Sequence, residues 1–235
     1  KANGVKNSRC IGTAALRETK NGREVADLFT KATGLPIEII EGHREAGYIL
    51  RGIWTALPPL DKYGLIMDIG GGSVEFILFK GDAIAFKGSY KIGVAVLYQK
   101  FHHSDPISQA EAGALEDFLD QELAEMIRAV KKLPGYYLIG ASGSFEVIND
   151  IMPRLATSAH WTELDIQGIT GYLEEIISTD ISSRRQIPEI PIERLDYIVV
   201  AYILIRYIFR HIPPEKLFYC EFALKEGVLA EVAGI

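Results

Sequence analysis

The chain has 235 residues and a formal net charge of −6, and this length suits one large domain or two modest ones. The negative charge argues against a general nucleic-acid binder, whose surface would carry a basic patch or stripe. The two cysteines, Cys10 and Cys220, lack metal-ligand spacing, so a reducing cytoplasm fits better than a disulfide framework. The basic start, 1–9, lacks the apolar run of a secretory signal. The most apolar stretch, 197–209, is interrupted by Arg206 and predicts a buried helix, not a membrane span.

The first part of the chain predicts a β-α-β unit followed by another helix. The first helix has apolar residues at helical spacing and ends at Gly34, because glycine readily adopts the conformation that stops a helix. The stretch 55–62 contains two prolines and is the candidate domain boundary. The predicted elements are a strand over 9–12, a helix over 24–33, a strand over 35–40 and a helix over 44–54.

The second part predicts three hairpin-connected strands, a long amphipathic helix and a further strand. Ser108 and Glu111 have the spacing of a capping box at the start of that helix. Beyond residue 150 the chain reads as mostly helical, with one last strand over 217–220. The predicted elements before that are strands over 64–69, 73–79 and 83–86, a helix from 108 to 130, a strand over 136–139 and a helix from about 145.

A glycine-rich turn follows the first of these strands. Asp68 ends the strand and Gly70, Gly71, Gly72 and Ser73 come next. Glycines let several backbone N–H groups converge on a phosphate without interference from a Cβ atom. Asp68 is an oxygen ligand of the kind that Mg²⁺ prefers, and Glu75, two residues past Ser73 on a strand, points to the same side as that serine. The alternative is an ordinary glycine-rich hairpin with solvated acids.

A second small-residue loop, over 140–144, lies between a buried strand and a helix start. Gly140, Ser142, Gly143 and Ser144 would direct N–H groups and the positive end of the helix dipole at an anion. The alternative is a strand-to-helix turn that uses small residues for close packing. Because the two loops repeat one pattern, strand followed by glycines, together they favour a phosphate site held by two similar cradles.

The remaining charged groups carry little signal of their own. A carboxylate on the first turn of a helix, such as Glu45, usually just complements the helix dipole. His43 reads as a surface histidine and the pair at 102–103 as a solvated loop. The pair at 184–185 reads as a solvated helix face.

In this order along the chain, the motifs resemble the exopolyphosphatase/guanosine-pentaphosphatase (Ppx/GppA) family over almost the whole length. The resemblance implies an α/β fold of the actin/sugar-kinase/Hsp70 type (ribonuclease H-like), with mixed sheets flanked by helices and phosphate bound between two lobes. Residues 1–60 would form the C-terminal part of the first lobe, without its N-terminal strands, and 61–235 the second lobe. The motifs that carry the resemblance lie at 13–17, 33–40, 45–46, 68–75, 140–144, 191–196 and 224–229.

The resemblance also implies roles for single residues. Glu45 matches the catalytic base of the family, Asp68 and Glu75 its metal-associated acids, and Arg17 an arginine of the cleft. The expected cofactor is Mg²⁺ or Mn²⁺. The expected activity is hydrolysis of a terminal phosphate from polyphosphate or guanosine pentaphosphate, with neither nucleic acid nor a membrane as a partner and a homodimer left open.

The chain departs from the family pattern at several positions. No glycine-serine loop of the form Asp-x-Gly-Ser-Asn is found, and a fragment without this first phosphate loop is expected to lack full activity alone. Val74 stands where threonine is usual, Arg44 replaces the first acid of a frequent Glu-Glu-Ala, and Lys225 stands where arginine is common. Lysine keeps the charge of arginine but loses its planar fork.

Three other functions remain open at this stage. A kinase of the same superfold would share the glycine loops, but it would need an acceptor pocket that the sequence does not reveal. A sensor of polyphosphate or guanosine polyphosphates would bind without turnover, and a structural remnant would bind no phosphate. Phosphate release measured beside ADP formation separates hydrolase from kinase, and tight binding without turnover identifies the sensor.

Overall fold

The computed structural model describes residues 8–234, so the start of the chain, residues 1–7, lies outside the described part. A parallel two-stranded sheet is formed by β1 (Cys10–Gly12) and β2 (Ile37–Ile39). Between these strands lie α1 (Ala14–Arg17) and α2 (Gly22–Thr33), and α2 ends at Gly34 with a left-handed φ of 74°, as the sequence predicts.

The predicted apolar face of α2 is exposed. Val25, Leu28 and Phe29 are 41%, 58% and 40% accessible to solvent. The residues of α2 that are buried are small, Gly22 and Ala26. The helical spacing is therefore confirmed, but the described residues place no core against this face.

A seven-stranded sheet has the order β5-β4-β3-β6-β9-β8-β7. Its first three strands form an antiparallel meander, and β6 and β9 continue the sheet parallel to β3. The order β5-β4-β3-β6-β9 confirms the predicted ribonuclease H-like lobe. The strands are β3 (Tyr63–Ile69), β4 (Val74–Lys80), β5 (Ala83–Tyr90), β6 (Tyr136–Ala141), β7 (Arg154–Thr157), β8 (Trp161–Leu164) and β9 (Lys216–Cys220).

Helices cover both faces of this sheet. Alternate residues of a strand point to opposite faces, so Leu65 and Met67 pack against one helical layer, and Ile66 against the other. The smaller layer contains α3 (Gly42–Ala56), with α11 (Leu224–Ala233) packed beside it. The larger layer contains α4 (Val94–Phe101), α5 (Gln109–Glu122), α6 (Ala124–Val130), α7 (Gly143–Ile151), α8 (Ile169–Ile177), α9 (Ile181–Arg184) and α10 (Ile198–His211).

The predicted buried helix is α10, and it runs through the larger core with Ile203, Leu204 and Ile205 fully buried. Arg206, which is 7% exposed, donates to Glu174 at 2.6 Å and to Glu116 at 2.7 Å. Paired in this way, a guanidinium is tolerated in an apolar setting. Among residues 8–234, no helix combines the length and the hydropathy that crossing a bilayer requires.

Several local predictions are wrong. The long helix predicted over 108–130 breaks at Leu123, which caps α5 and precedes α6, although its capping box at Ser108 is present. The region after 150, predicted as mostly helical, contains the β7–β8 hairpin. His102 is 7% exposed, so it is not a solvated loop residue.

Arg184 is also not solvated, because it is 1% exposed. Its guanidinium donates to the carbonyls of Thr179 and Leu195 and to the carboxylate of Asp105, the last at 2.9 Å. All three guanidinium nitrogens therefore have acceptors, which is the condition for burying such a group.

Candidate active site

Two acids meet where β3 ends and β4 begins. Asp68 and Glu75 are directly paired across these antiparallel strands, a position that brings Cβ atoms to about 5 Å and side chains to the same face. They are 7% and 1% exposed. The glycine turn between the strands thus places side by side the two carboxylates that the family resemblance grouped as metal-associated acids, and both are buried.

Two serine hydroxyls hold Glu75. Ser73 and Ser89 each donate to its Oε1 atom at 2.7 Å. Ser89 lies opposite Glu75 in the pairing of β4 with β5. Sequence reasoning missed Ser89 because the predicted third strand stopped at 86, whereas β5 continues to Tyr90. Extending that strand by four residues would have put Ser89 in register with Glu75.

The second loop is strained and is tied to the first. Ser142 has φ 70° and ψ −179°, a region that residues other than glycine adopt at a cost of about 1–3 kcal/mol. Its hydroxyl donates to Oδ1 of Asp68. Helix α7 begins at the next residue, Gly143, so its first N–H groups point out of the helix end beside the buried acids.

A third acid approaches from the smaller helical layer. Glu45 lies on the first turn of α3 and is 7% exposed. Arg17, at the end of α1, donates to Oε2 of Glu45 at 3.2 Å and to the carbonyl of Ile40 at 2.7 Å. The predicted cleft arginine therefore contacts the predicted base directly and orients one of its oxygens.

Burial dominates the electrostatics of the three acids. It raises the pKa of Glu75 to about 7, and the nearby Glu45 carboxylate adds to the rise. Burial also raises the pKa of Asp68, against the hydrogen bond from Ser142, and the pKa of Glu45, against its bond with Arg17. Removal from water disfavours the charged form of a carboxyl, so the site binds protons readily when no cation is near.

These groups line one cavity of about 530 Å³. Glu45, Asp68, Gly70, Glu75, Ser142 and Gly143 were all predicted as site residues, and the cavity joins them. The cavity is also lined by residues that were not predicted as site residues. They are Glu146, Tyr219, Glu221, Ala223, Leu224, Lys225 and Glu226. The family motif at 224–229 was the signal that could have pointed to the last three of them.

The glycines of the first loop have unequal surroundings. The N–H of Gly70 donates to the carbonyl of Ser73 at 2.9 Å, so this N–H is occupied within the turn. A Cβ atom on Gly72 would lie 2.9 Å from Ala14, where α1 approaches the loop, whereas a Cβ atom on Gly71 would meet no atom within 4 Å. Gly71 therefore has open space on its side-chain side.

Helix α4, which the sequence did not predict, packs against this loop. The N–H groups of Val94 and Ala95 donate to the carbonyls of Gly70 and Gly71 at 3.0 and 2.9 Å. A Cβ atom on Gly93 would lie 2.4 Å from the backbone of Gly71. The first turn of α4 therefore packs directly under the loop.

Of the predicted phosphate ligands, three line the cavity, namely Gly70, Ser142 and Gly143. The others are not part of its lining: Arg17, Gly71, Gly72, Ser73, Gly140 and Ser144. Gly140 is inside β6, and a Cβ atom there would lie 2.1 Å from the ring of Phe145. Ser144, 9% exposed, is the second residue of α7. Within residues 8–234, no group of three or more His, Cys, Asp or Glu side chains has the geometry of a metal site.

The site lies at the carboxyl ends of the parallel strands β3, β6 and β9, which is where open α/β sheets bind their ligands. Two glycine-containing turns, one of which leads into a helix, are typical of proteins that bind phosphate groups at such an edge. The fold and the site together define an α/β lobe with the loops typical of proteins that bind phosphate groups.

The sequence model of the Ppx/GppA phosphatase family matches residues 1–234, and the chain belongs to this family. A guanosine-5'-triphosphate,3'-diphosphate pyrophosphatase of Vibrio vulnificus is 29% identical over 184 residues, covering 69% of this chain and 36% of the relative. The chain thus spans about a third of the length of that curated relative.

Solved structures show the same fold. An exopolyphosphatase from Cytophaga hutchinsonii superposes with a TM-score of 0.90 at 28% identity, covering 100% of this chain and 77% of that one. The Aquifex aeolicus member of the Ppx/GppA family superposes with a TM-score of 0.78 at 22% identity, covering 99% of this chain and 76% of that one. The predicted family and fold class are therefore confirmed.

Proposed function

We propose that this protein hydrolyses the terminal phosphoanhydride bond of inorganic polyphosphate or guanosine pentaphosphate. One observation carries the proposal: a single cavity joins the predicted base Glu45 to the acids Asp68 and Glu75 and to both glycine-containing loops. The names of the two relatives, a guanosine-5'-triphosphate,3'-diphosphate pyrophosphatase and an exopolyphosphatase, support the same reaction class.

Phosphate binding is assigned to the backbone of the two loops. The N–H groups of Gly71, Gly72 and Ser73 on one side, and of Gly143 and Ser144 on the other, would hold the terminal phosphate. Hydrogen bonds from N–H groups that are already oriented stabilise the charge of a phosphoryl group during its transfer. The strained backbone of Ser142 supports this assignment, since strain of this kind clusters at ligand sites.

Glu45 is assigned as the general base. Arg17 occupies its Oε2 atom, which leaves Oε1 to accept a proton from an attacking water. Because burial raises its pKa, Glu45 is a stronger base than an exposed glutamate. Positioned general bases of this type contribute about 10²–10⁴-fold to a rate.

A divalent cation fits beside Asp68 and Glu75, and we propose Mg²⁺ or Mn²⁺. Ser142 bonds only Oδ1 of Asp68, and the two serines bond only Oε1 of Glu75, so each acid retains one oxygen for a ligand. Two carboxylate oxygens suit Mg²⁺, which keeps several waters and completes its shell with substrate phosphates. The ion would supply the positive charge that offsets the negative charge of the phosphates.

The domain division also stays a proposal. Residues 1–60 would belong to one lobe, built around the β1–β2 sheet, and 61–235 to the other. Helix α3 precedes this boundary and packs on the seven-stranded sheet through Ile49 and Ile53, so it would connect the lobes.

Cys10 and Cys220 are free thiols, which supports a reducing cytoplasmic environment.

The test is phosphate release from polyphosphate and from guanosine pentaphosphate, with ADP formation followed in parallel. We expect Glu45→Gln to lose turnover while it keeps substrate binding, because the change removes the base and leaves both loops. Glu41→Gln, an exposed acid four residues earlier, is the matched control and should keep wild-type turnover. A near wild-type kcat in Glu45→Gln would contradict the assignment, and ADP formation or binding without turnover would contradict the hydrolase.

A further inference from the structure

The second loop adopts a conformation that its own sequence disfavours. Ser142 is the residue other than glycine that has a positive φ within residues 8–234. Its hydroxyl is fixed by Asp68, and its carbonyl accepts from the N–H groups of Phe145 and Glu146, both at 3.1 Å. The next carbonyl, that of Gly143 at the start of α7, receives a further contact from a side chain.

Arg194 makes that contact from a distant part of the chain. It ends the 3₁₀ turn Ile192–Arg194, close before α10. Its Nη1 atom donates to the carbonyl of Gly143 at 2.7 Å and to Oε2 of Glu146 at 2.9 Å. A Cβ atom on Gly143 would lie 2.3 Å from the central guanidinium carbon, so the guanidinium lies directly against the loop backbone and only glycine leaves room for it.

This contact sets the direction of a donor. The peptide group is planar and trans, so its C=O and N–H point in opposite directions. Fixing the carbonyl of Gly143 therefore also fixes the N–H of Ser144, on the opposite side of the same peptide unit. In addition, Arg194 neutralises Glu146, an acid that lines the cavity and would otherwise repel an anion.

We propose that Arg194 is a positioning residue that holds the second loop in its phosphate-binding conformation. The sequence placed it in a family motif but gave it no role, and it does not line the cavity. The inference rests on the proposed function, because it takes the 142–144 backbone as a phosphate cradle.

The experiment measures pyrophosphate binding by calorimetry on the intact protein, with Mg²⁺ present. We expect Arg194→Ala to weaken binding by about tenfold or more, the effect of losing one charge-assisted hydrogen bond. Arg194→Lys should recover part of the loss, since lysine keeps a charged donor. The matched control is Arg154→Ala: Arg154 donates to the carbonyl of Asn149 and pairs with Asp150 near the other end of α7, and its loss should leave binding unchanged.

Two further measurements separate positioning of the backbone from a purely electrostatic effect of Arg194. In the ligand-free protein, amide hydrogen exchange at 143–145 should accelerate in Arg194→Ala and not in Arg154→Ala. Binding by Arg194→Ala that stays close to wild type, or unchanged exchange, would overturn the proposal. Wild-type binding in the double variant Glu146→Gln/Arg194→Ala would also overturn it, because repulsion by an unpaired Glu146 would then account for the loss. If the wild-type protein binds no pyrophosphate, the proposed function fails, and the exchange data alone decide the role of Arg194.

Discussion

The protonation of Glu75 gives a quantitative prediction for Glu75→Gln. Its pKa rises from an ordinary value of 4.5 to about 7 in the fold. At about 1.4 kcal/mol per pH unit, ionised Glu75 lowers the free energy of unfolding by about 3 kcal/mol above pH 8. Glutamine has nearly the same shape and its carbonyl can still accept hydrogen bonds from Ser73 and Ser89. Above pH 8, the free energy of unfolding of the variant should therefore exceed that of the wild type by about 1–3 kcal/mol.

The sign of the effect fixes the pH window. An acid whose pKa is raised by folding stabilises the folded protein while the pH is below 4.5, the pKa of the acid in the unfolded chain. This stabilising contribution is lost as the pH rises through about 7, the pKa of Glu75 in the fold. The wild-type protein without metal should therefore lose stability relative to Glu75→Gln between pH 4.5 and pH 7.

Urea unfolding at a series of pH values, in EDTA, measures this difference directly. The exposed Glu41→Gln serves as the control and should track the wild type at every pH. A wild-type protein that equals or exceeds Glu75→Gln in stability at pH 8 would refute the claim that burial dominates at this acid. Adding Mg²⁺ should stabilise the wild type more than the variant, since a bound cation offsets the buried charge.

Three further predictions concern the loops and the cation. Gly71→Val should abolish pyrophosphate binding, because the added side chain would occupy the open space beside the loop where the phosphate is proposed to bind. It should cost little stability, since the side chain meets no atom within 4 Å and the φ of Gly71 is not positive. A retained ligand-induced rise in Tm would show that this loop is not the cradle. Gly140→Ala should instead destabilise the fold by about 1–3 kcal/mol by overpacking against Phe145, measured by urea unfolding, and an unchanged midpoint would contradict this. Phosphate release should require Mg²⁺ or Mn²⁺, and Asp68→Asn should raise the metal concentration for half-maximal activity; full activity in excess EDTA would leave the metal role unsupported.

Local patterns predicted much of the site. Asp68 and Glu75 stood out as acids next to a glycine turn between two strands, and the family resemblance paired them as metal-associated acids. The capping box at Ser108 was visible because its partners are three residues apart. These features depend on contacts within a few positions in the sequence, which is why a sequence pattern could indicate them.

Contacts between distant residues were not predictable in this way. Arg184 looked solvated because its neighbours are polar, yet it is buried by Asp105, 79 residues earlier in the chain. Arg194 reaches Gly143 across 51 residues. The β7–β8 hairpin pairs with the edge of β9, and its short strands had no strong alternation of their own. In each case the partner that stabilises the feature is supplied by the tertiary fold.

The packing of α4 under the first glycine loop has a consequence for the energetics of ligand capture. Two carbonyls of the loop are held by the first turn of a helix whose Leu97 is fully buried in the main core. The loop is therefore ordered when the protein folds, and the conformational entropy of ordering it is not lost again at the moment of binding. A preorganised cradle of this kind binds more tightly than a flexible loop with the same donors. Because the loop does not need to rearrange, we expect ligand association to be a single step whose rate is limited by diffusional encounter.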